Sequence, residues 1–157
     1  MIKRLNHHQG KTAKEIQRLQ KRAYQAEAEL IGFDGIPQLN ESILEIQNSG
    51  ETFIGYFNGG LAGFISYKVK GTLVDIHRLA VAPAHFRQGI GRQLLAHLLE
   101  SFPGSDFIVS TATLNEPARK LYEIFGFNLQ GSFEPEPGIS CVIYHKIKTL
   151  HINDFEK

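Results

Sequence analysis

The chain has 157 residues, the length of one ordinary domain, and its 42% hydrophobic and 21% charged residues are typical of soluble globular proteins. A formal net charge of +1 gives no global reason to expect nucleic acid or an acidic membrane as a partner. No apolar run is long enough to span a bilayer and the N-terminus has no apolar signal core, so we expect a cytoplasmic protein.

The first third of the chain predicts one short strand followed by helices. Residues 1–5 predict the strand. From about residue 12, apolar side chains recur at helical spacing, at Ile16, Leu19, Ala23, Ala26 and Leu30. Residues 32–37 break this helix. A shorter helix is then predicted over residues 39–48, and Gly50 ends it.

From residue 52 the hydrophobic pattern changes to the period that is typical of strands. Strands are predicted over residues 52–57, 61–69 and 72–81, joined by turns at Asn58-Gly59-Gly60 and Lys70-Gly71. This is a three-stranded antiparallel meander.

The remainder alternates between helix and strand. A helix is predicted over residues 89–101, a strand over 106–112, a helix from Asn115, and two further strands, the last over 140–148. Residues 149–157 are polar and predict a tail. Strands followed by alternating helix and strand predict an α+β fold with a mixed sheet. No repeat or linker divides the chain, so a single domain over residues 1–157 is expected.

Cysteine and histidine give no sign of a disulfide or a metal site. The single cysteine, Cys141, excludes an internal disulfide and lies in an apolar strand-like run, where a buried, inert thiol is expected. None of the seven histidines has zinc-site spacing with cysteine, so no metal is predicted.

The helix predicted over residues 89–101 begins in a loop that contains glycine. Its apolar face carries Ile90, Leu94, Leu95, Leu98 and Leu99, which places its first turn at Gly89-Ile90-Gly91. The first N–H groups of a helix have no internal partner, and glycine allows a ligand to approach the backbone closely. This arrangement suits a phosphate or pyrophosphate. The alternative is a tight strand-to-helix turn that binds nothing. This loop matches neither the nucleoside-triphosphate-binding loop nor the dinucleotide-binding fingerprint.

A second motif spans residues 115–127. Asn115 is predicted to cap a helix, Pro117 to lie in its first turn and Gly126 to follow its end. One face of this helix carries Ala118, Leu121, Tyr122 and Phe125.

Together the two motifs resemble the GNAT family of acyl-CoA-dependent N-acetyltransferases. The first is similar to the pyrophosphate loop of that family, and the second to its Asn-x-x-Ala-x-x-Leu-Tyr-x-x-x-Gly-Phe signature. The resemblance covers residues 50–148 well and the first 50 in outline. One departure is Phe86, which stands where the family usually has Gln or Arg, with Arg87 one place later. The resemblance implies a central, mostly antiparallel mixed sheet, splayed in the middle and flanked by helices.

The resemblance also implies acetyl-CoA as co-substrate and a set of residues that bind it. The pyrophosphate would contact the loop of Arg87, Gln88, Gly89, Ile90, Gly91 and Arg92. The pantetheine amides would pair with the backbone of Leu79, Ala80 and Val81, like an added strand. The amide of Asn115 would meet the pantetheine arm as well as cap its helix.

The catalytic candidates are a tyrosine and a polar pair. Tyr122 falls where the family signature places the acid that protonates the departing thiolate; the alternative is that it only packs. Strand alternation puts Asp75 and His77 on one face with Leu79 and Val81, where either side chain could take a proton from the amine; the alternative is an ordinary polar pair.

Three further predictions concern the residues around this pair. Asp75 aligns by its spacing to Gly89 with a glutamate that serves as base in histone-type members of the family. Arg78 is predicted on the opposite face, in a structural ion pair. The first helix borders the acceptor site in the family, which makes Tyr24, Glu27 and Glu29 candidates for acceptor binding.

The sequence therefore predicts direct transfer of an acetyl group from acetyl-CoA to an amine on a small molecule or a protein. The alternatives are a non-catalytic acyl-CoA-binding module and an unrelated domain that binds ATP or NAD. The resemblance allows a homodimer, and no nucleic-acid or membrane partner is expected.

Overall fold

The structure is a computed structural model that describes residues 1–148. The tail predicted over residues 149–157 lies outside the described residues. Residues 1–148 form a sheet of seven strands in the order β1-β2-β3-β4-β5-β7-β6. The strands are β1 (Ile2–Leu5), β2 (Thr52–Phe57), β3 (Leu61–Lys70), β4 (Leu73–Val81), β5 (Asp106–Ala112), β6 (Asn128–Glu136) and β7 (Ile139–Lys146). Neighbouring strands are antiparallel except for β4 and β5, which are parallel. The predicted mixed, mostly antiparallel sheet is confirmed.

Helices cover both faces of this sheet. The helices are α1 (Gly10–Ile31), α2 (Ile43–Gln47), α3 (Ile90–Ser101) and α4 (Glu116–Ile124), with 3-10 turns at Pro37–Asn40 and Pro83–His85. Neighbouring strand residues point to opposite faces. Accordingly, Phe53 and Phe64 pack in the core under α1 and α2, whereas Ile54 and Ile65 pack in the core under α3 and α4.

The first helix buries the predicted Ile16 and Leu19, but its second half faces the sheet along a different stripe from the predicted one. Leu30 is 54% exposed, and the core instead receives Tyr24, Ala28 and Ile31. These three residues continue the buried positions Ile16 and Gln20 at the three- to four-residue spacing of one helical face.

The helix predicted over residues 39–48 is interrupted. A 3-10 turn ends at Asn40, and α2 begins only after Ser42, which caps it. The Ser42 hydroxyl accepts a hydrogen bond from the Glu45 N–H at 3.1 Å, and the Glu45 carboxylate accepts one from the Ser42 N–H at 3.1 Å. This reciprocal capping box fixes the start of a new helix and thereby excludes a continuous one.

The sheet opens between its two parallel strands. β4 and β5 pair from Leu73↔Asp106 to Ile76↔Val109 and then separate, although β4 continues to Val81 and β5 to Ala112. This opening is the predicted splay. It leaves one edge of the last part of β4 without a neighbouring strand, while the other edge pairs with β3.

A β-bulge reverses which side chains of β4 point to each face of the sheet. It lies just where the splay begins. The register passes from Ser66↔Arg78 to Tyr67↔Ile76, which leaves His77 as the extra residue. Val74 and Ile76 therefore pack in the same core as Leu79 and Val81, and Asp75 lies on the opposite face. The predicted placement of Asp75 on one face with Leu79 and Val81 is wrong, because the bulge reverses the alternation.

No helix within residues 1–148 combines the length and the apolar character needed to cross a lipid bilayer.

Candidate active site

The loop before α3 presents free backbone donors. Gly89 caps the helix with φ 76°, and Arg87 adopts φ 67°, a left-handed conformation that costs a non-glycine residue about 1 kcal/mol. The Gln93 N–H bonds to the Gly89 carbonyl at 3.0 Å, so the N–H groups just ahead of Gln93 have no acceptor within the helix. Such donors at a helix N-terminus suit an anion.

The predicted cofactor residues lie at the start of α3 and along the last part of β4. Gly91 leaves the α3 N-terminus open, since a Cβ there would meet only Leu121 at 3.7 Å and Val81 at 3.8 Å. The whole loop, Arg87, Gln88, Gly89, Ile90, Gly91 and Arg92, lies at this helix start, with Ile90 packed into the core. The backbone of Leu79, Ala80 and Val81 pairs with β3 on one edge and faces the splay on the other.

A cavity of about 190 Å³ occupies the splay. α1 supplies Tyr24 and Glu27, the next segment supplies Ile36 and Gln38, and the rest of the lining comes from β4, β5 and α4. The predicted residues His77, Leu79, Asn115 and Tyr122 meet here. Asp75, Ala80, Val81 and the loop residues do not line this cavity, and Glu29 is exposed outside it.

Tyr122 both packs and lines the cavity. Its side chain is 4% exposed, and its ring lies 5.5 Å from that of Phe127 and 6.2 Å from that of Tyr144. Burial, and next the nearby Glu27 charge, raise the pKa of the Tyr122 hydroxyl well above its usual range. The hydroxyl is therefore protonated at neutral pH, as a proton donor must be.

Asn115 joins α4 to α1. Its Oδ1 accepts a hydrogen bond from the Ala118 N–H at 3.2 Å, which confirms the predicted N-cap. Its Nδ2 donates to Glu27 Oε1 at 2.6 Å. An amide NH₂ carries two hydrogens, so this bond leaves one for a ligand. Burial raises the pKa of the Glu27 carboxyl, and the bond from Asn115 opposes that rise.

Asp75 and His77 form a pair beside the cavity. The His77 Nε2 lies 3.3 Å from an oxygen of Asp75, and about a third of each side chain is exposed. Only His77 reaches the cavity lining. Asp75 is thus placed to orient the imidazole rather than to contact a ligand in the cavity.

Arg78 is the centre of a buried network of ion pairs and hydrogen bonds on the face of β4 that packs against α1. Its Nε and Nη2 donate to the two carboxylate oxygens of Glu51 at 2.8 and 2.9 Å, and its Nη1 and Nη2 donate to the carboxylate of Glu41. Gln20 on α1 accepts from Nη1 at 3.0 Å. The predicted structural ion pair of Arg78 is confirmed. Its partners could not be predicted, because they lie between 27 and 58 positions away from Arg78 in the chain, and no local pattern links residues so far apart.

Cys141 is only partly buried, in contrast to the expected full burial. Burial, and next the Glu27 charge, raise the pKa of its thiol, so the thiol stays protonated. Among residues 1–148, no three His, Cys, Asp or Glu side chains come together as a metal-binding group.

Comparison with protein families matches residues 13–127 to the Acetyltransferase (GNAT) family. "UPF0157 protein YqkA" of Bacillus subtilis (strain 168) is 42% identical over 147 residues, which cover 92% of this chain and 43% of that protein. The "[Ribosomal protein bS18]-alanine N-acetyltransferase" of Escherichia coli (strain K12) is 32% identical over 87 residues, covering 52% of this chain and 59% of that enzyme. The chain thus spans 43% to 59% of the length of these two relatives.

Solved structures of acetyltransferases have the same fold as this chain. The crystal structure of the Escherichia coli ribosomal-protein-S18-alanine N-acetyltransferase superposes with a TM-score of 0.72 at 22% identity, covering 92% of this chain and 91% of that one. The PaiA N-acetyltransferase from Thermoplasma acidophilum, crystallised with coenzyme A, gives 0.70 at 18% identity, covering 94% and 98%. At these identities the likeness establishes the fold.

Proposed function

This chain belongs to the GNAT family of acetyltransferases, and from that premise we propose that it transfers the acetyl group of acetyl-CoA directly to an amine. The observation that carries the proposal is the splay of β4 and β5. It places a cavity lined by Tyr122, His77 and Asn115 beside an unpaired edge of β4, which leads to the open N-terminus of α3.

Acetyl-CoA supplies the activated acetyl group as a thioester. In this proposal the N–H groups of residues 87–92 bind its pyrophosphate, and the helix dipole of α3 adds favourable charge. The free edge of Leu79, Ala80 and Val81 pairs with the pantetheine amides, as a peptide strand adds to a sheet. The remaining hydrogen of the Asn115 amide is available to the same arm.

The proton transfers are assigned to two side chains. Tyr122 donates its phenolic proton to the departing thiolate. His77, oriented by Asp75, takes a proton from the acceptor amine. Transfer is proposed to be direct, since the only cysteine has a raised pKa and is a poor nucleophile at neutral pH.

The acceptor is proposed as an amine of a small molecule or a protein. The Escherichia coli relative is named for an alanine of a ribosomal protein, which makes a protein α-amine one member of the set to test. A single acetyltransferase domain over residues 1–157, a cytoplasmic location and a homodimer remain predictions from the sequence.

The test is release of free CoA from acetyl-CoA in the presence of a panel of amines that includes a peptide with a free N-terminus, a polyamine and an aminoglycoside. We expect turnover with at least one of them. A chain that binds CoA but acetylates none is better described as a non-catalytic acyl-CoA-binding module. A chain that binds ATP or NAD in preference to CoA contradicts the proposal outright.

A further inference from the structure

Glu27 is a carboxylate of α1 that faces the cavity. It lines the splay together with Tyr24 from its own helix and with Asn115 and Tyr122 from α4. α1 and α4 pack against opposite faces of the sheet, and Glu27 of α1 contacts Asn115, the cap of α4, at the cavity where the strands separate.

One oxygen of Glu27 is held and the other is free for a ligand. Asn115 Nδ2 donates to Oε1 at 2.6 Å, and the same asparagine is fixed by its capping bond to Ala118. Within residues 1–148, Oε2 of Glu27 accepts no hydrogen bond from the protein. The carboxylate is therefore oriented, with one acceptor atom still available.

The charge of Glu27 has no matching cation in the described part of the chain. The ion pairs of His77 with Asp75 and of Arg78 with Glu41 and Glu51 do not include Glu27. Arg78 lines the same cavity, but two carboxylates already neutralise its charge. A partly buried carboxylate without a counter-ion is unfavourable, and a ligand that brings a positive charge relieves that cost.

We propose that Glu27 binds the ammonium group of the acceptor, with Oε2 accepting a charge-assisted hydrogen bond while Asn115 holds Oε1. This inference rests on the proposed function and adds a determinant of specificity to it. The site selects amines that arrive protonated, and it places them between α1 and α4, beside Tyr122. Neutral molecules of the same shape leave the carboxylate unpaired and bind weakly.

The binding test uses n-butylammonium as the probe and n-butanol as its neutral counterpart, at constant ionic strength and without acetyl-CoA. Saturable binding is followed through the side-chain amide resonance of Asn115. Glu27→Gln keeps the shape and the acceptor for Asn115 but removes the charge, and Glu15→Gln, exposed on the same helix, is the matched control. We expect Glu27→Gln to weaken n-butylammonium binding by about tenfold or more. Wild type and Glu15→Gln bind it equally and prefer it to n-butanol.

Equal binding by Glu27→Gln, equal binding of n-butanol by the wild type, or no saturable binding by the wild type overturns the inference. The ¹³C resonance of the Glu27 carboxyl in the wild-type chain gives a second measurement that does not depend on the variant folding. It should respond to n-butylammonium and not to n-butanol.

Kinetics separate this inference from the proposed function. With an accepted amine, Glu27→Gln should raise the acceptor KM by about tenfold or more and leave the KM for acetyl-CoA unchanged. Turnover with an unchanged acceptor KM in Glu27→Gln rejects only the role of Glu27. Binding of n-butylammonium through Glu27 without any acetyl transfer rejects only the proposed function.

Discussion

Tyr122 shows how one side chain serves packing and chemistry at once. Its ring completes an aromatic group with Phe127 and Tyr144, and the residue also lines the cavity. Packing in the core and donation of a proton by Tyr122 therefore do not exclude one another. They are separated by removing the hydroxyl while keeping the ring.

Tyr122→Phe should lower kcat by about 10²- to 10⁴-fold, the usual contribution of a general acid or base. Affinity for acetyl-CoA should hardly change, and stability should change by only about 1 kcal/mol, because the ring contacts remain. Single-turnover rates are the measurement, since slow product release can conceal a loss in the chemical step. Near-wild-type single-turnover rates would reduce Tyr122 to a core residue.

His77 should be the member of the Asp75–His77 pair that contacts the amine. We expect His77→Ala to lower kcat/KM by about 10²-fold or more, and Asp75→Asn to lower it less, because Asp75 only orients the imidazole. His97→Ala, on α3 and outside the cavity lining, is the control. If both variants retain the rate and pH profile of the wild type, another group removes the proton from the acceptor amine.

At the scale of elements, the pyrophosphate site proposed at the start of α3 depends on backbone groups more than on side chains. Its donors are N–H groups, and the side chains of Arg87, Gln88 and Arg92 are exposed around them. A pyrophosphate bound by these N–H groups would not need the usual Gln or Arg side chain at the position of Phe86. It also predicts that only substitutions intruding on the backbone abolish binding.

Gly91→Glu should abolish CoA binding by placing bulk and negative charge beside the pyrophosphate. Gly91→Ala is the matched control, since its Cβ makes only ordinary contacts with Leu121 and Val81 and should retain affinity. Calorimetric titration of folded protein measures both. Unchanged CoA affinity in Gly91→Glu would move the pyrophosphate site away from α3.

The Arg78 network joins α1, β3, β4 and the 3-10 turn at Pro37–Asn40, and it borders the cavity. Gln20 on α1 donates to the carbonyl of Gln38 at 3.2 Å, and Gln38 lines the cavity. Arg78 connects Gln20 to Glu51, which lies just before β2. Burial alone would raise the pKa of the Glu51 carboxyl, but hydrogen bonds from Arg78 and Ser66 outweigh it and lower the pKa.

Glu51→Gln should destabilise the protein by about 3 kcal/mol at neutral pH, because it removes one member of a buried ion pair. A lowered carboxyl pKa contributes stability that is complete above the unfolded value of about 4.3 and is lost as pH falls through the folded value. The variant should therefore show a smaller loss of stability on acidification below that value. Denaturant unfolding at several pH values measures this, with the exposed Glu100→Gln as control. Parallel pH curves for Glu51→Gln and wild type would contradict it.

At the scale of the whole molecule, the sheet consists of two parts that meet at the splay. β1 to β4 form one part and β5 to β7 the other, joined by four parallel pairs. A ligand that pairs with the free edge of β4 and contacts α4 bridges both parts. Binding it should stabilise the fold and slow exchange of amide hydrogens near the junction.

CoA at 100 times its Kd should raise the free energy of unfolding by about 2.7 kcal/mol, through mass action on the native state alone. Thermal unfolding with and without CoA is the measurement. Gly91→Glu should show no such shift. A comparable shift with ATP or NAD in place of CoA would favour the unrelated nucleotide-binding domain instead.

The sequence by itself determined the features that arise from local interactions. The meander, the alternation of helix and strand after it, the cap at Asn115 and the glycine at Gly89 are set by periodicity, capping and backbone freedom within a few residues. These features also carry the family resemblance. The start of α3 and the ends of α4 consequently lie where they were predicted.

Only the tertiary structure decided how distant segments meet. The bulge at His77 reverses the facing of Asp75, Arg78 finds Glu51 27 residues away, and Asn115 finds Glu27 88 residues away. Burial makes these contacts strong, because charges and amides removed from water must pair with each other. Which groups become partners depends on how the helices pack against the sheet, and a contact between groups far apart in the chain leaves no periodic trace in the sequence.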